Sequence, residues 1–447
     1  MTLADTSECR AVVQATVLQL SNDAAAAGLA SREAVLGLDA CYLALGLVLQ
    51  AGNDSAQLGT VLGTLRTHCT QADAAHAHLL RRRAAWLLGW TLRTPHFARM
   101  APCSVPGLNL DASGGAEGSD PVHLMYSMLA DLLGDAHAGV RLTAALAVQA
   151  LFDATDTSPR ADASPCLGPR SSRTNSVDSP GMGPGSLSAG NPLAQLAATA
   201  LMPVLHLSLH VREIDSRWRM GQLLCRLLSR LGTAPHLLGP HLPALTQWVP
   251  TAWLACDGEQ LLQEATVDAA ITLLQAVDEA PHGLVSACLE LVSVATSWGA
   301  PDAAGGGAAG SSPEHATSRG GGGGEPPVGL VEISMRLWRA CLSAIRPPLQ
   351  GEPLAPQLLP LVGRLPALLE LGDEMARPSM LLLDWYFLSD RLERSCGGGL
   401  AQAAPTSAPF FASLSAVFER AITCGGRGTL AAVGAMHTLL LVYPEQV

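Results

Sequence analysis

Residues 122–153 read VHLMYSMLADLLGDAHAGVRLTAALAVQALFD. On each side of the polar break at Gly134-Asp135 the apolar residues recur at three- and four-residue steps, the period of a helix with one buried face. The break is short, so the two predicted helices lie antiparallel as a hairpin. Neither helix hides its apolar face alone. The stretch therefore reads as one unit of something larger.

Similar segments recur outward from it. They are LLRRRAAWLLGWTL from Leu79, DSRWRMGQLLCRLLSRL from Asp215, QEATVDAAITLLQAV from Gln263, VEISMRLWRACLSAI from Val331 and ARPSMLLLDWYFLSDRL from Ala376. Arg82, Arg141, Arg219, Glu264, Glu332 and Pro378 serve as markers. Once the low-complexity insertions at 101–120, 158–191 and 299–326 are set aside, the step between markers is about 39 to 46 residues. That is the period of HEAT and armadillo helix pairs. Such pairs stack into a continuous core in which each repeat touches only its neighbours. The expected fold is all-α, a HEAT- or armadillo-type solenoid of roughly eight to ten helix pairs. No run of alternating β-branched residues between hairpin turns competes with it.

The expected organisation follows the composition. Repeats occupy 1–100, and 101–121 is a loop rich in Pro, Gly, Ser and Asp. One repeat spans 122–156. Residues 157–192 are a disordered Ser/Pro/Gly insertion too poor in apolar residues to offset chain entropy. Repeats resume over 193–298, a second disordered, Gly-rich insertion covers 299–327, and 328–447 returns to repeats, divided by CGGGLAQAAP.

In this architecture Asp135 lies in the turn and Arg141 opens the next helix. Turn acids at that spacing pair with an arginine of the adjacent repeat, so Asp135 and Arg141 are expected members of a structural ladder that fixes the stagger between repeats. When exposed, such pairs contribute only about 0–1 kcal/mol each.

Of the 447 residues 48% are hydrophobic and only 4% aromatic, so the core must be built from Leu, Ala and Val. The formal net charge is −11. It argues against nucleic acid and favours basic partners. All 27 basic residues are arginine. The absence of lysine removes Walker-A, kinase-type and Schiff-base chemistry. The 11 cysteines are nowhere closer than 28 residues, as between Cys41 and Cys69, so no CxxC zinc or redox site is spelled out. They read as small hydrophobes of a reducing compartment. The N-terminus lacks the pattern of a secretory signal.

AVLGLDACYLALGLVLQAG, from Ala34, and GTLAAVGAMHTLLLVYPEQV, from Gly428, approach the length of a membrane span. Asp39 and His437 interrupt them, and both are expected to be fully buried solenoid helices. His76 and His78, two apart, are on different sides of a helix and make a poor metal pair. His236 and His241 lack a third ligand, and the Gly-rich runs lack the Lys-Ser/Thr of a phosphate cradle. No enzyme motif, cofactor site or metal site is expected. Ser176, three residues after Arg173, and Ser179, followed by Pro180, are candidate phosphosites in the first insertion.

The order LDACYLALGLVL, HLLRRRAAWLLGWTL, YSMLADLLGDAHAGVRLTAALAVQALFD, LCRLLSRLGTAPHLLGPHLPALTQWVPTAW, VEISMRLWRACLSAI resembles the middle and later repeats of the importin-beta (karyopherin-beta) family of nuclear transport receptors. It runs through most of residues 35–395. The chain departs from the family at LLGW: Trp90 directly follows Gly89, where the family places a Gln between them. The resemblance implies a right-handed superhelix that binds protein cargo on a concave side lined by second helices. By that analogy Arg82, Arg141, Arg219, Glu264 and Arg336 are candidate cargo contacts. It also implies shuttling between cytoplasm and nucleus, contact with nucleoporins at the pore, and Ran-GTP binding at N-terminal repeats. Those repeats precede the region of resemblance, so a truncated receptor without its own Ran site is expected. A HEAT-repeat scaffold for a phosphatase or ubiquitin-type assembly is the alternative, because repeats alone do not fix function.

Overall fold

The computed structural model describes residues 31–49, 55–72, 75–92, 121–156, 192–296, 328–344, 375–384, 408–423 and 426–442, with isolated positions at 12–23 and 361–368. The described residues contain no strand. They form thirteen helices of 13 to 19 residues, a short helix at 376–384, and a turn of α-helix and 3₁₀-helix at 235–241. The expected count of eight to ten pairs includes stretches outside these residues, as do the greater parts of all three expected loops. Two of the loops end one residue early. Pro121 and Pro192, assigned to the loops at 101–121 and 157–192, open helices instead. Proline suits a first helical position, where its missing N–H has no partner to lose.

The chain divides into two compact units, Met1–Leu237 and Leu238–Val447. The first contains α1 (Arg32–Leu49), α2 (Ser55–Gln71), α3 (Ala77–Leu92), α4 (Pro121–Leu133), α5 (Ala138–Asp156), α6 (Pro192–His210) and α7 (Ile214–Leu231). Neighbours in sequence pack together, as α2 does on α3, α4 on α5 and α6 on α7. So do helices two apart: α1, α3, α5 and α7 form one series, and α2, α4 and α6 the other. The amphipathic periods explain this arrangement, since each helix buries a stripe that needs two neighbours to cover it.

Close approach is set by small residues. A Cβ on Gly89 of α3 would meet Ala147 Cα of α5 at 3.0 Å. One on Gly46 of α1 would meet Trp86 and Leu87 of α3 at 2.7 and 2.8 Å. Between these contacts the core is filled by Leu80, Leu87, Leu88, Val140, Ala144, Val148 and Phe152, all inaccessible to solvent.

The second unit contains α8 (Leu242–Ala255), α9 (Gln260–Ala276), α10 (His282–Ala295), α11 (Val328–Ala344), α12 (Ala408–Thr423) and α13 (Gly426–Val442). Here α8 packs on α9 and α10, α11 on α9 and α10, and α12 on α13. Between α8 and α9 the chain turns through Asp257 and Gly258, at φ +50° and +83°. Glycine adopts that region freely, and aspartate is among the few side chains that tolerate it.

Two expectations about apolar helices need correction. The helices over 34–49 and 428–442 are covered on one face only. Leu36 and Leu47 of α1 are 43% and 52% exposed, and Leu430 and Leu441 of α13 are 76% and 57% exposed. Among the described residues the helix long and apolar enough to cross a membrane is a different one, Leu193–His210, and 56% of it is buried. A helix packed among several others needs apolar residues on two or three sides, so its composition approaches that of a membrane span.

Candidate functional site

The polar groups that organise the molecule sit where helices two apart meet. Asp39 of α1 accepts two hydrogen bonds of 2.9 Å from the Arg83 guanidinium of α3. Asp135, in the turn before α5, pairs with Arg81 of α3. Asp131 of α4 pairs with Arg66 of α2 at 3.2 Å, and Asp153 of α5 with Arg226 of α7. In the second unit Asp268 of α9 pairs with Arg336 of α11 at 3.4 Å. Each pair joins a short acid to a long arginine. The flexible arginine stem spans the 8–10 Å between packed helices, and its planar fork matches a carboxylate.

Asp135 does two jobs. One carboxylate oxygen accepts the backbone N–H of His137 at 2.7 Å, closing an Asx turn. The carboxylate also holds Arg81. Arg141 does not pair with that carboxylate. It donates to the backbone carbonyls of Asp135 and Ala136, at 2.7 and 3.0 Å. The ladder reading of Asp135 therefore keeps its neighbouring-helix arginine, but that arginine is Arg81. Arg141 clamps its own turn. Arg217 and Arg364 act alike, donating to the carbonyls of Ser208 and Ser293 near the ends of α6 and α10. Carbonyls in a last helical turn have no partner within the helix, and a guanidinium supplies one.

The other candidate contacts fall apart from one another. Arg82 and Arg219 are exposed, on α3 and α7. Glu264 is half-buried and accepts a 2.9 Å hydrogen bond from Gln260 on its own helix. Arg336 is an exposed member of the ladder. Arg82, Arg141 and Arg219 belong to the first unit, Glu264 and Arg336 to the second. Ser176 and Ser179 lie outside the described residues. Sequence reasoning missed Arg81, Arg83, Asp39, Asp131, Asp153 and Asp268. Their signal was present: Asp39, Asp131 and Asp153 are isolated acids in apolar helices, and an acid there needs a cation.

Burial pushes several core groups toward neutrality. Tyr42 O–H and His68 Nδ1 are 2.9 Å apart in the core between α1 and α2. Burial raises the tyrosine and lowers the histidine. Burial also pushes the Cys69 thiol up to about 12 and raises Cys41 and Cys341. Protonated thiols are poor nucleophiles and poor metal ligands. Among the described residues no group of three or more His, Cys, Asp or Glu side chains is placed to hold a metal ion.

The formal charge is divided unevenly between the two units. Residues 1–237 carry 17 arginines and 18 acids, whereas residues 238–447 carry 10 arginines and 20 acids. Nearly all the net charge is therefore in the second unit. Asp257, Glu259, Asp278, Glu279, Glu290 and Glu332 are exposed there. No protein-family model matches the chain, and no curated protein is significantly similar to it.

Proposed function

We propose that this chain is a HEAT-type α-solenoid segment of an importin-beta-like nuclear transport receptor. In this reading it binds basic protein cargo, enters and leaves the nucleus past nucleoporins, and catalyses no reaction. The observation that carries the reading is the packing of helices two apart, fastened by aspartate–arginine pairs. A stack built that way presents long rows of parallel helices to a partner. The excess acidity of the second unit supplies the attraction for Lys/Arg-rich segments. The ordered resemblance of residues 35–395 to importin-beta repeats supplies the family.

The test uses the full chain as bait in a cell extract. The expected catch is basic nuclear proteins and pore components, released by moderate salt. A catch made up only of cytosolic assemblies would favour the scaffold alternative. Ran separates the readings further. The resemblance does not reach the family's N-terminal Ran-binding repeats, so cargo affinity should be equal with Ran-GTP and Ran-GDP. An effector that binds both states alike shifts nothing. A tenfold weakening by Ran-GTP, about 1.4 kcal/mol of coupling, would show that this segment has its own Ran site.

A further inference from the structure

Histidines gather along one edge of the first unit. The His78 ring, at the start of α3, stacks on His137 in the α4–α5 turn with centroids 4.5 Å apart. His206 and His210, at the end of α6, stack at 4.0 Å. Contacts link the two pairs. Arg81 joins the start of α3 to Asp135 of the turn, and Arg141, which grips the same turn, is near enough to His206 for its charge to act on that ring. Arg217 ties the start of α7 to the end of α6. The starts of α3, α5 and α7 thus share an edge with the end of α6, and three positive helix ends point along it.

Other charged and titratable groups lie on the elements that meet there. His76 is half-buried just before α3, and the charge of Arg81 acts on Cys69 of α2, a neutral thiol. Arg82, Arg212 and Arg219 are exposed. On the acidic side, Glu213 and Asp215 flank the start of α7, where Ser216 donates to Glu213, and Asp131 of α4 is held by Arg66. Asp135, whose carboxylate accepts the backbone N–H of His137, is held by Arg81.

We propose that this edge is a docking surface for a carboxylate-rich peptide segment of a partner protein, and that docking takes up protons. Parallel imidazoles this close are compatible when neutral and repel when both are charged. Burial, then His137, and more weakly Arg81 and His76, hold His78 below its ordinary value; burial, then His210 and Arg141, do the same for His206. An acidic segment brings further counter-charge to the rings. By linkage it must favour the protonated rings, and protonation must favour it to the same degree. The chain's net charge of −11 repels such a segment at long range, so its binding depends on this local surface. The inference is independent of the transport reading, which rests on basic cargo and the second unit's acidity.

The experiment measures anisotropy of a fluorescein-labelled deca-glutamate peptide with the full chain. It is run at about pH 5.8 and 7.8, either side of the imidazole value near 6.5 and above the glutamate value near 4.3. Binding should be at least about tenfold tighter at the lower pH, and H78Q/H137Q/H206Q/H210Q should abolish the difference while helicity stays unchanged. If that variant fails to fold, calorimetry of the unmodified chain in buffers of different ionisation enthalpy decides. Net uptake of one or more protons per peptide supports the proposal, and zero uptake overturns it. Equal affinity at both pH values, a pH response that survives replacement of all four histidines, or tighter binding of an oligonucleotide of equal charge would also overturn it.

Discussion

Asp39 and Arg83 meet through two hydrogen bonds of 2.9 Å, with 18% and 16% of their side chains exposed. Asp268 and Arg336 meet once, at 3.4 Å, with 38% and 58% exposed. Both pairs join helices two apart. In the first unit the pair lies mostly out of water, and Arg83 also sits over the Trp86 ring at 5.0 Å, with Trp86 stacked on Trp90. In the second unit the same kind of junction is closed by apolar contact: Val331, Leu337, Trp338 and Cys341 of α11 are buried, as are Ala265, Ala269 and Ala270 of α9. The difference teaches that register can be specified in two ways. A partly desolvated ion pair tolerates few offsets, because a slipped register strands a charge. An apolar seam sets register through shape alone.

The comparison is broken most forcefully in the second unit. Trp338→Ala removes the largest fully buried side chain described and should destabilise α9–α11 by about 3–5 kcal/mol. Hydrogen exchange resolved by peptide should show α11 opening while α3 keeps its protection. Exchange that is unchanged at α11 would mean that the seam is not held by packing. The counterpart in the first unit is Gly89→Val. Its branched side chain would enter the Ala147 backbone, at a cost of about 1–3 kcal/mol or more. Denaturant unfolding should show an early transition, with lost protection at α3 and α5.

Asp39→Ala tests the ion pair directly. It leaves the Arg83 guanidinium mostly buried without its carboxylate, and about 1–3 kcal/mol of local stability should disappear. A double-mutant cycle with Arg83→Met isolates the coupling. Acid should also separate the units. His68, His78 and His206 are held below their ordinary values, and all lie in the first unit. A histidine lowered in the folded state leaves the unfolded chain binding more protons, so stability is full above about pH 6.5 and falls as pH drops toward the folded value. Between about pH 7.5 and 5 the first unit should lose protection. His68→Gln should flatten part of that loss, and an unaltered slope would exclude His68 as a source. The smallest effect belongs to Asp268→Ala. Its pair is exposed and screened, so the change should stay within about 0.5 kcal/mol and vanish at high salt.

Helices and their buried stripes were legible because leucine and alanine recur at helical steps over long stretches. The hairpin at 122–153 was legible for that reason and because its break is short. The partners of the charged residues were not. In Arg81-Arg82-Arg83 each residue is turned about 100° from the next on the helix. The marker chosen from the sequence, Arg82, points to solvent, while Arg81 and Arg83 on either side reach Asp135 and Asp39. These partners lie 54 and 44 residues away in sequence. Periodicity shows which face is covered, whereas pairing at that distance depends on how helices two apart are staggered. The one-sided exposure of α13 was hidden likewise, because composition does not say how many neighbours a helix has.

The ladder also makes the molecule its own recording device. Without lysine, trypsin can cut this chain only after arginine, and the arginines that fasten one helix to another are among those sites. A bond beside Arg66, Arg81, Arg83, Arg226 or Arg336 becomes available when the helix it sits on frays and its guanidinium leaves the aspartate. The fragments therefore come off in the order in which the fastenings let go. A time course of digestion read by mass spectrometry should list the junctions from weakest to strongest. Cleavage after Arg336 should come early and cleavage after Arg83 late.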